Sequence, residues 1–193
     1  MSAERSTDIA GGAPVSARHP ISVTTAGPEA TFALGQVLAP LLDAGDVVLL
    51  AGDLGAGKTV FVQGLASGLG IEAAVTSPTF ALIDEHRAPS GLRLLHVDVY
   101  RLDEPAQVIA LGLGEEVDDG ATVAVVEWGE KARAALPGDR LEVLMSDGPG
   151  PADRMIELDL VGPGWEARRG RMILAVAHIG IDVDADDYRG LTG

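Results

Sequence analysis

Residues Gly52-Asp53-Leu54-Gly55-Ala56-Gly57-Lys58-Thr59 match the pattern G-x-x-x-x-G-K-[ST] at every fixed position. The flanks decide what such a match means. Before it, Asp46-Val47-Val48-Leu49-Leu50-Ala51 is a short apolar run of the kind that forms a buried strand. After it, Phe61, Leu65 and Leu69 recur at helical spacing. Strand, glycine-rich turn and helix start, in that order, predict a phosphate-binding loop and with it an α/β fold. Glycines let successive backbone N–H groups point inward, and the helix adds its positive N-terminal end, so that together they hold a polyphosphate. Lys58 would then reach the outer phosphates, and the Thr59 hydroxyl would bind Mg²⁺. Lysine is scarce here, with only Lys58 and Lys131 in the chain, so its presence in the loop argues against a chance glycine-rich turn.

The 193 residues suit a single domain with one core, and 47% are hydrophobic, so no metal or disulfide is needed to hold it. The lack of cysteine excludes disulfides, zinc–thiolate sites, iron–sulfur clusters and cysteine nucleophiles together. No apolar run approaches a membrane span, and the expectation is a soluble, cytoplasmic protein. A net charge of −15, with twelve scattered arginines of which only Arg168, Arg169 and Arg171 cluster, argues against direct, tight nucleic-acid binding. An acidic surface of this kind is solvated or meets a basic protein partner.

Three regions are expected. Residues 1–20 read as a disordered leader, 21–162 as the nucleotide-binding domain, and 163–193 as an extension of it. Within the domain, residues 21–24 suggest a strand. A helix opens at Pro28-Glu29 and ends by Gly45, with Pro40 disturbing its last turn. Residues 80–86 and 92–100 read as a hairpin, 103–117 as an amphipathic helix, and 122–127 as an apolar strand. A second hairpin pairs 141–145 with 154–160, and Met172 to Ala177 is a further strand candidate. Asp182-Val183-Asp184-Ala185-Asp186-Asp187 opens like a calcium loop but lacks its glycine and its last glutamate. The four histidines show no ligand spacing, and His96 reads as a packing residue of its strand.

A metal ion beside a triphosphate needs a second protein oxygen at the end of a nearby hydrophobic strand. Asp98 lies in Leu94-Leu95-His96-Val97-Asp98-Val99-Tyr100, and Glu127 closes Val123-Ala124-Val125-Val126. Each would otherwise only solvate a strand end, or pair with Arg101 or Lys131. With the loop present, the two carboxylates are candidates to share metal binding and the orientation of water.

These pieces, in this order, resemble the TsaE (YjeE) family, P-loop ATPases of bacterial tRNA threonylcarbamoyladenosine biosynthesis. The resemblance rests on the loop itself, Ser-Pro-Thr-Phe at 77–80, His-Val-Asp-Val-Tyr-Arg-Leu at 96–102, Leu-Gly-Leu-Gly-Glu-Glu at 111–116, Glu-Trp-Gly-Glu at 127–130 and Leu-Pro at 136–137. It covers about residues 22 to 162. Gly114 and Gly129 depart from the usual family residues, as do the leader and the tail. The resemblance implies a single P-loop NTPase-like domain, a mixed central sheet flanked by helices, binding ATP and Mg²⁺. It implies Thr59 and Glu127 on the metal side, Asp98 as the Walker-B-like acid, Thr79 in a switch-like loop and Trp128 as a functional tryptophan. Arg154 matches a position near the nucleotide, a solvated hairpin arginine being the alternative. Family members are weak ATPases that associate with the TsaD–TsaB pair. TsaD transfers the threonylcarbamoyl group to an adenosine of tRNA, and ATP hydrolysis resets the complex between turnovers. On this reading tRNA is met only through the complex, and the acidic residues 115–119 are the guess for the partner surface.

Three other readings compete. A GTPase of the common kind reads guanine with Asn-Lys-x-Asp, and the chain has no asparagine; Asp147-Gly148-Pro149-Gly150 imitates another GTPase segment but falls in a late hairpin. A small-molecule kinase would bring lid arginines, for which Arg87, Arg93 and Arg101 are available. A nucleotide-sensing scaffold would bind ATP with little turnover.

Overall fold

Seven strands, β1 (Ile21–Ala26), β2 (Val47–Ala51), β3 (Ile83–Arg87), β4 (Arg93–Asp98), β5 (Thr122–Glu127), β6 (Arg140–Asp147) and β7 (Asp153–Val161), make one sheet in the order β1-β7-β6-β2-β5-β4-β3. The computed structural model describes residues 19–181 and 183; most of the expected leader and the calcium-like acidic tail lie outside them. β2 pairs parallel to β6 and β5, and β5 parallel to β4. β3, β7 and β1 join antiparallel at the two sides. The mixed central sheet expected from the sequence is therefore present, with the P-loop strand at its centre.

Period-two alternation makes β2 and β5 two-faced, and both faces are dry. Val48 and Leu50 of β2, with Val123 and Val125 of β5, face one buried cluster. That cluster includes Leu34 and Leu38 of helix α1 (Pro28–Leu38), and Phe61 and Leu65 of α2 (Lys58–Gly68). On the opposite face, Val47, Leu49, Ala124 and Val126 pack on Val108 of α3 (Pro105–Ile109) and on Leu113 and Val117 of α4 (Leu113–Val117). A strand apolar on both sides has one stable place, the middle of a covered sheet, and this fixes where the loop after β2 emerges.

α1 and α2 touch backbone to backbone. A Cβ at Gly64 would collide with the carbonyl oxygen of Phe32, and one at Gly35 with that of Phe61. Glycine here serves close approach, so the P-loop helix is seated hard against α1.

Four expectations are corrected. The stretch from Met172 to Ala177 is helical, within α6 (Arg169–His178), and Met172, Ile173 and Val176 are buried in the first cluster while Leu174 faces out. A run of six apolar residues does not distinguish strand from helix, and here tertiary packing selects the helix. The amphipathic stretch 103–117 is two short helices, parted where Gly112 takes φ +67°. The first helix ends at Leu38, and Pro40 sits in a 3-10 turn, Ala39–Leu41, because proline cannot extend the ladder. The first hairpin strand begins at Ile83, leaving residues 80–82 in a turn where Leu82 has φ +67°. After β7, α5 (Pro163–Glu166) places Trp165 in the same buried cluster as α1 and α2.

Candidate functional site

The loop between β2 and α2 opens at the C-terminal ends of the parallel strands, where ligands of open α/β sheets collect. Gly52, Gly55 and Gly57 take φ of +134°, +84° and +101°, and a side chain at Gly52 would strike the carbonyl of Met145 on the next strand. Beside the loop lies a cleft of about 380 Å³. Leu54, Gly55, Gly57, Lys58, Thr59 and Val60 form one wall; Ser77, Thr79, Asp98, Tyr100, Glu127 and Trp128 form the other.

Two carboxylates converge here because of register. Asp98 and Glu127 are Cα partners at the ends of the parallel pair β4 and β5. Both fall on the face that carries α2, as does His96, two residues before Asp98. The Thr59 hydroxyl donates to Glu127 Oε1 at 2.8 Å. His96 Nε2 lies 2.8 Å from the same oxygen. Asp98 does a different job: the hydroxyls of Ser77 and Thr79 sit 2.8 and 3.0 Å from its Oδ2 and 2.7 Å from each other. The Tyr100 backbone N–H donates to its Oδ1 at 2.9 Å. One acid thus meets the P-loop threonine, and the other ties down the Ser-Pro-Thr-Phe segment.

Lys58 Nζ donates to the carbonyls of Gly52 (2.6 Å) and Asp53 (2.9 Å) and stands 4.1 Å over the Trp128 ring. Burial lowers the Lys58 pKa below its ordinary 10.5, against the opposing pull of Glu127, Glu130, Asp98 and Asp53. Trp128 holds this place in a left-handed conformation, φ +61°, which costs a non-glycine residue roughly 1–3 kcal/mol and is typical of site residues. Tyr100 packs on Trp128 with ring centroids 4.9 Å apart. Arg154, on β7, donates from Nη2 to the Gly55 carbonyl at 3.3 Å, so it touches the loop from outside the cleft. Gly52, Asp53 and Ala56 complete the loop without lining the cleft.

His96, Ser77 and Tyr100 join the site beyond the residues expected from the sequence. The signal for His96 was present: in a strand, residues two apart share a face, so His96 had to face the same way as Asp98. The candidate lid arginines point to other tasks. Arg87 pairs with Glu85, Arg93 joins Glu85, Glu116 and Asp119, and Arg101 stacks on Phe80. None lines the cleft. Glu116 and Asp119, part of the guessed partner surface, are thereby engaged within the chain. Gly148 and Gly150 of the GTPase-like segment pack against Asp153 in the β6–β7 turn.

The donor set suits a magnesium-bound polyphosphate. A hydroxyl whose hydrogen goes to Glu127 keeps its lone pairs for a cation, and hydroxyl with carboxylate is a hard-oxygen pair. Among the described residues no group of three or more His, Asp or Glu side chains is arranged to hold a metal. Thr59 and Glu127 would hold such an ion together with the phosphate it accompanies and water. Among those residues also, no helix is long and apolar enough to cross a membrane.

Residues 25–155 match the family model described as "Threonylcarbamoyl adenosine biosynthesis protein TsaE". A protein of Bacillus subtilis named tRNA threonylcarbamoyladenosine biosynthesis protein TsaE is 39% identical over 142 residues, 74% of this chain and 87% of its own length. Its namesake in Streptomyces coelicolor is 43% identical over 133 residues, 68% of this chain and 89% of its own. The crystal structure of Bacillus subtilis YdiB superposes with a TM-score of 0.66 at 34% identity, covering 84% of this chain and 99% of that one.

Proposed function

The chain belongs to the TsaE family, and on that premise we propose that it is a magnesium-dependent ATPase. It supports formation of threonylcarbamoyladenosine in tRNA by acting on the TsaD–TsaB pair, which it resets between turnovers. The observation that carries this reading is the Thr59 hydroxyl on Glu127 Oε1 at 2.8 Å, next to Lys58 on the P-loop. In the proposed arrangement the loop N–H groups and Lys58 bind the ATP phosphates, Thr59 and Glu127 hold Mg²⁺, and Trp128 and Arg154 buttress the loop. Bound Mg²⁺ would neutralise charge on the outer phosphates. Asp98 holds Ser77 and Thr79 at the open side of the cleft, where an attacking water has to be oriented. Lys58 and Glu127 act on the reacting phosphate group; Asp98 acts with Thr79 beside it.

A role through protein partners is supported by charge and surface. The net charge of −15 opposes direct tRNA contact, so tRNA is met only through the complex, in the cytoplasm. Leu54 on the loop and Phe80 beside Thr79 are both 87% exposed, and apolar side chains that project like this next to a site offer purchase to a protein surface. The proposed domain is residues 21–162, with 163–193 an extension, of which Trp165, Met172, Ile173 and Val176 pack into the core. Against the kinase reading, the three arginines that would serve a lid are engaged elsewhere.

The test is multiple-turnover threonylcarbamoylation of tRNA by the cognate TsaD–TsaB pair. Product should stall near one equivalent per complex without this protein and continue when it and ATP are added. No effect on turnover would overturn the partner role. Labelled phosphate appearing on a metabolite instead of in solution would select the kinase, and absence of single-turnover hydrolysis with the partners, matching Glu127→Ala, would select the scaffold.

A further inference from the structure

His96 lies at the middle of the site's supporting strand with no exposed surface, yet it is polar. Its Nε2 is 2.8 Å from Glu127 Oε1, and its Nδ1 is buried with no hydrogen-bond partner. An ionised carboxylate only accepts hydrogen bonds, so Nε2 carries the proton and donates. A histidine placed merely to fill strand space would be better replaced by valine or leucine, as at the neighbouring buried positions Leu95 and Val97. Among the described residues Nδ1 has no partner, and the one hydrogen bond the ring makes is to Glu127.

The geometry points to a positioning role: we propose that His96 fixes the rotamer of Glu127 so that the carboxylate meets Thr59 and the incoming magnesium ion together. This rests on the reading of Glu127 as a metal-side residue. Both donors, Thr59 and His96, fall on Oε1, one from α2 and one from β4. With Oε1 held between two elements, Oε2 is the oxygen left for the ion or its water shell. Without the imidazole a single hydroxyl would have to hold the carboxylate alone, and that hydroxyl is itself needed on the ion. Partners that orient a metal-binding carboxylate in this way typically alter metal affinity by about 10–100-fold when removed.

The experiment uses the full chain and a fluorescent ATP analogue, titrated in chelator and then across magnesium concentrations. His96→Met and His96→Gln have nearly the same shape, but only glutamine keeps a donor at the Nε2 position, and a buried methionine is compatible with this apolar strand. His96→Met should raise the magnesium concentration for half-maximal analogue binding about 10-fold or more while binding in chelator is unchanged, and His96→Gln should recover most of the loss. Equal behaviour of the two variants, or a parallel fall in chelator, would make His96 structural and end the proposal. Glu127→Gln is the control for the premise: if it leaves magnesium dependence unchanged, the metal role of Glu127 fails; if it shifts the dependence and His96→Met does not, only the positioning role fails.

Discussion

At the scale of single residues, Lys58 joins the most constraints. It donates to two loop carbonyls, lies over Trp128 and is surrounded by Glu127, Glu130, Asp98 and Asp53. Replacing it with methionine removes a charged hydrogen bond to phosphate, worth about 1.5–3 kcal/mol, so ATP affinity should fall about 10–100-fold by equilibrium titration. Wild-type affinity in that variant would refute the phosphate role. The same variant carries a pH signature. Burial lowers the folded-state pKa beneath 10.5, so in the window just below 10.5 the unfolded chain binds more protons than the folded one, and stability from this group rises with pH. Urea unfolding across that alkaline window should show wild type gaining on Lys58→Met as pH rises; a constant gap would argue against the shift. Much of this was legible from the chain alone. The loop pattern gives Lys58 and Thr59, and strand-end acids give Asp98 and Glu127. What the chain conceals is pairing: that Glu127 takes Thr59 while Asp98 takes Ser77 and Thr79 depends on the β4–β5 register.

Elements show the same divide between local pattern and long-range fit. β2 and β5 are plain in the sequence because both of their faces are apolar, whereas α6 reads as a strand because six apolar residues in a row carry no period. The α1–α2 contact is invisible in sequence, since Gly35 and Gly64 look like ordinary helix-weakening glycines. Alanine at Gly64 would gain about 1 kcal/mol of helix propensity. It would also meet the Phe32 carbonyl, which is backbone and has no rotamer to escape into, and overpacking costs about 1–3 kcal/mol or more. The collision wins, so Gly64→Ala should destabilise the fold and weaken ATP binding together. Gly114→Ala in α4, where an added Cβ meets nothing within 4 Å, should be neutral or stabilising in the same denaturation assay. If both variants behave alike, close packing is not why glycine stands at Gly64.

For the whole molecule, charge sets the terms of association. Labelled tRNA should show no saturable anisotropy change with this chain alone at low salt, because a chain of net charge −15 with mostly scattered arginines has little cationic surface to displace counterions from phosphate. Saturable binding that weakens steeply with salt would mean that a basic face meets the tRNA phosphates. The contact of α1 with α2 has one more consequence at this scale. Welded through Gly35 and Gly64, the helix that begins at Lys58 has no slack, while residues 77–80 and Trp128 across the cleft are held by side-chain bonds to Asp98 and Lys58. One wall of the cleft is thus fixed by backbone packing and the other is held by side chains, and Phe80 stands on the second. A partner resting on Leu54 and Phe80 together would touch both walls at once.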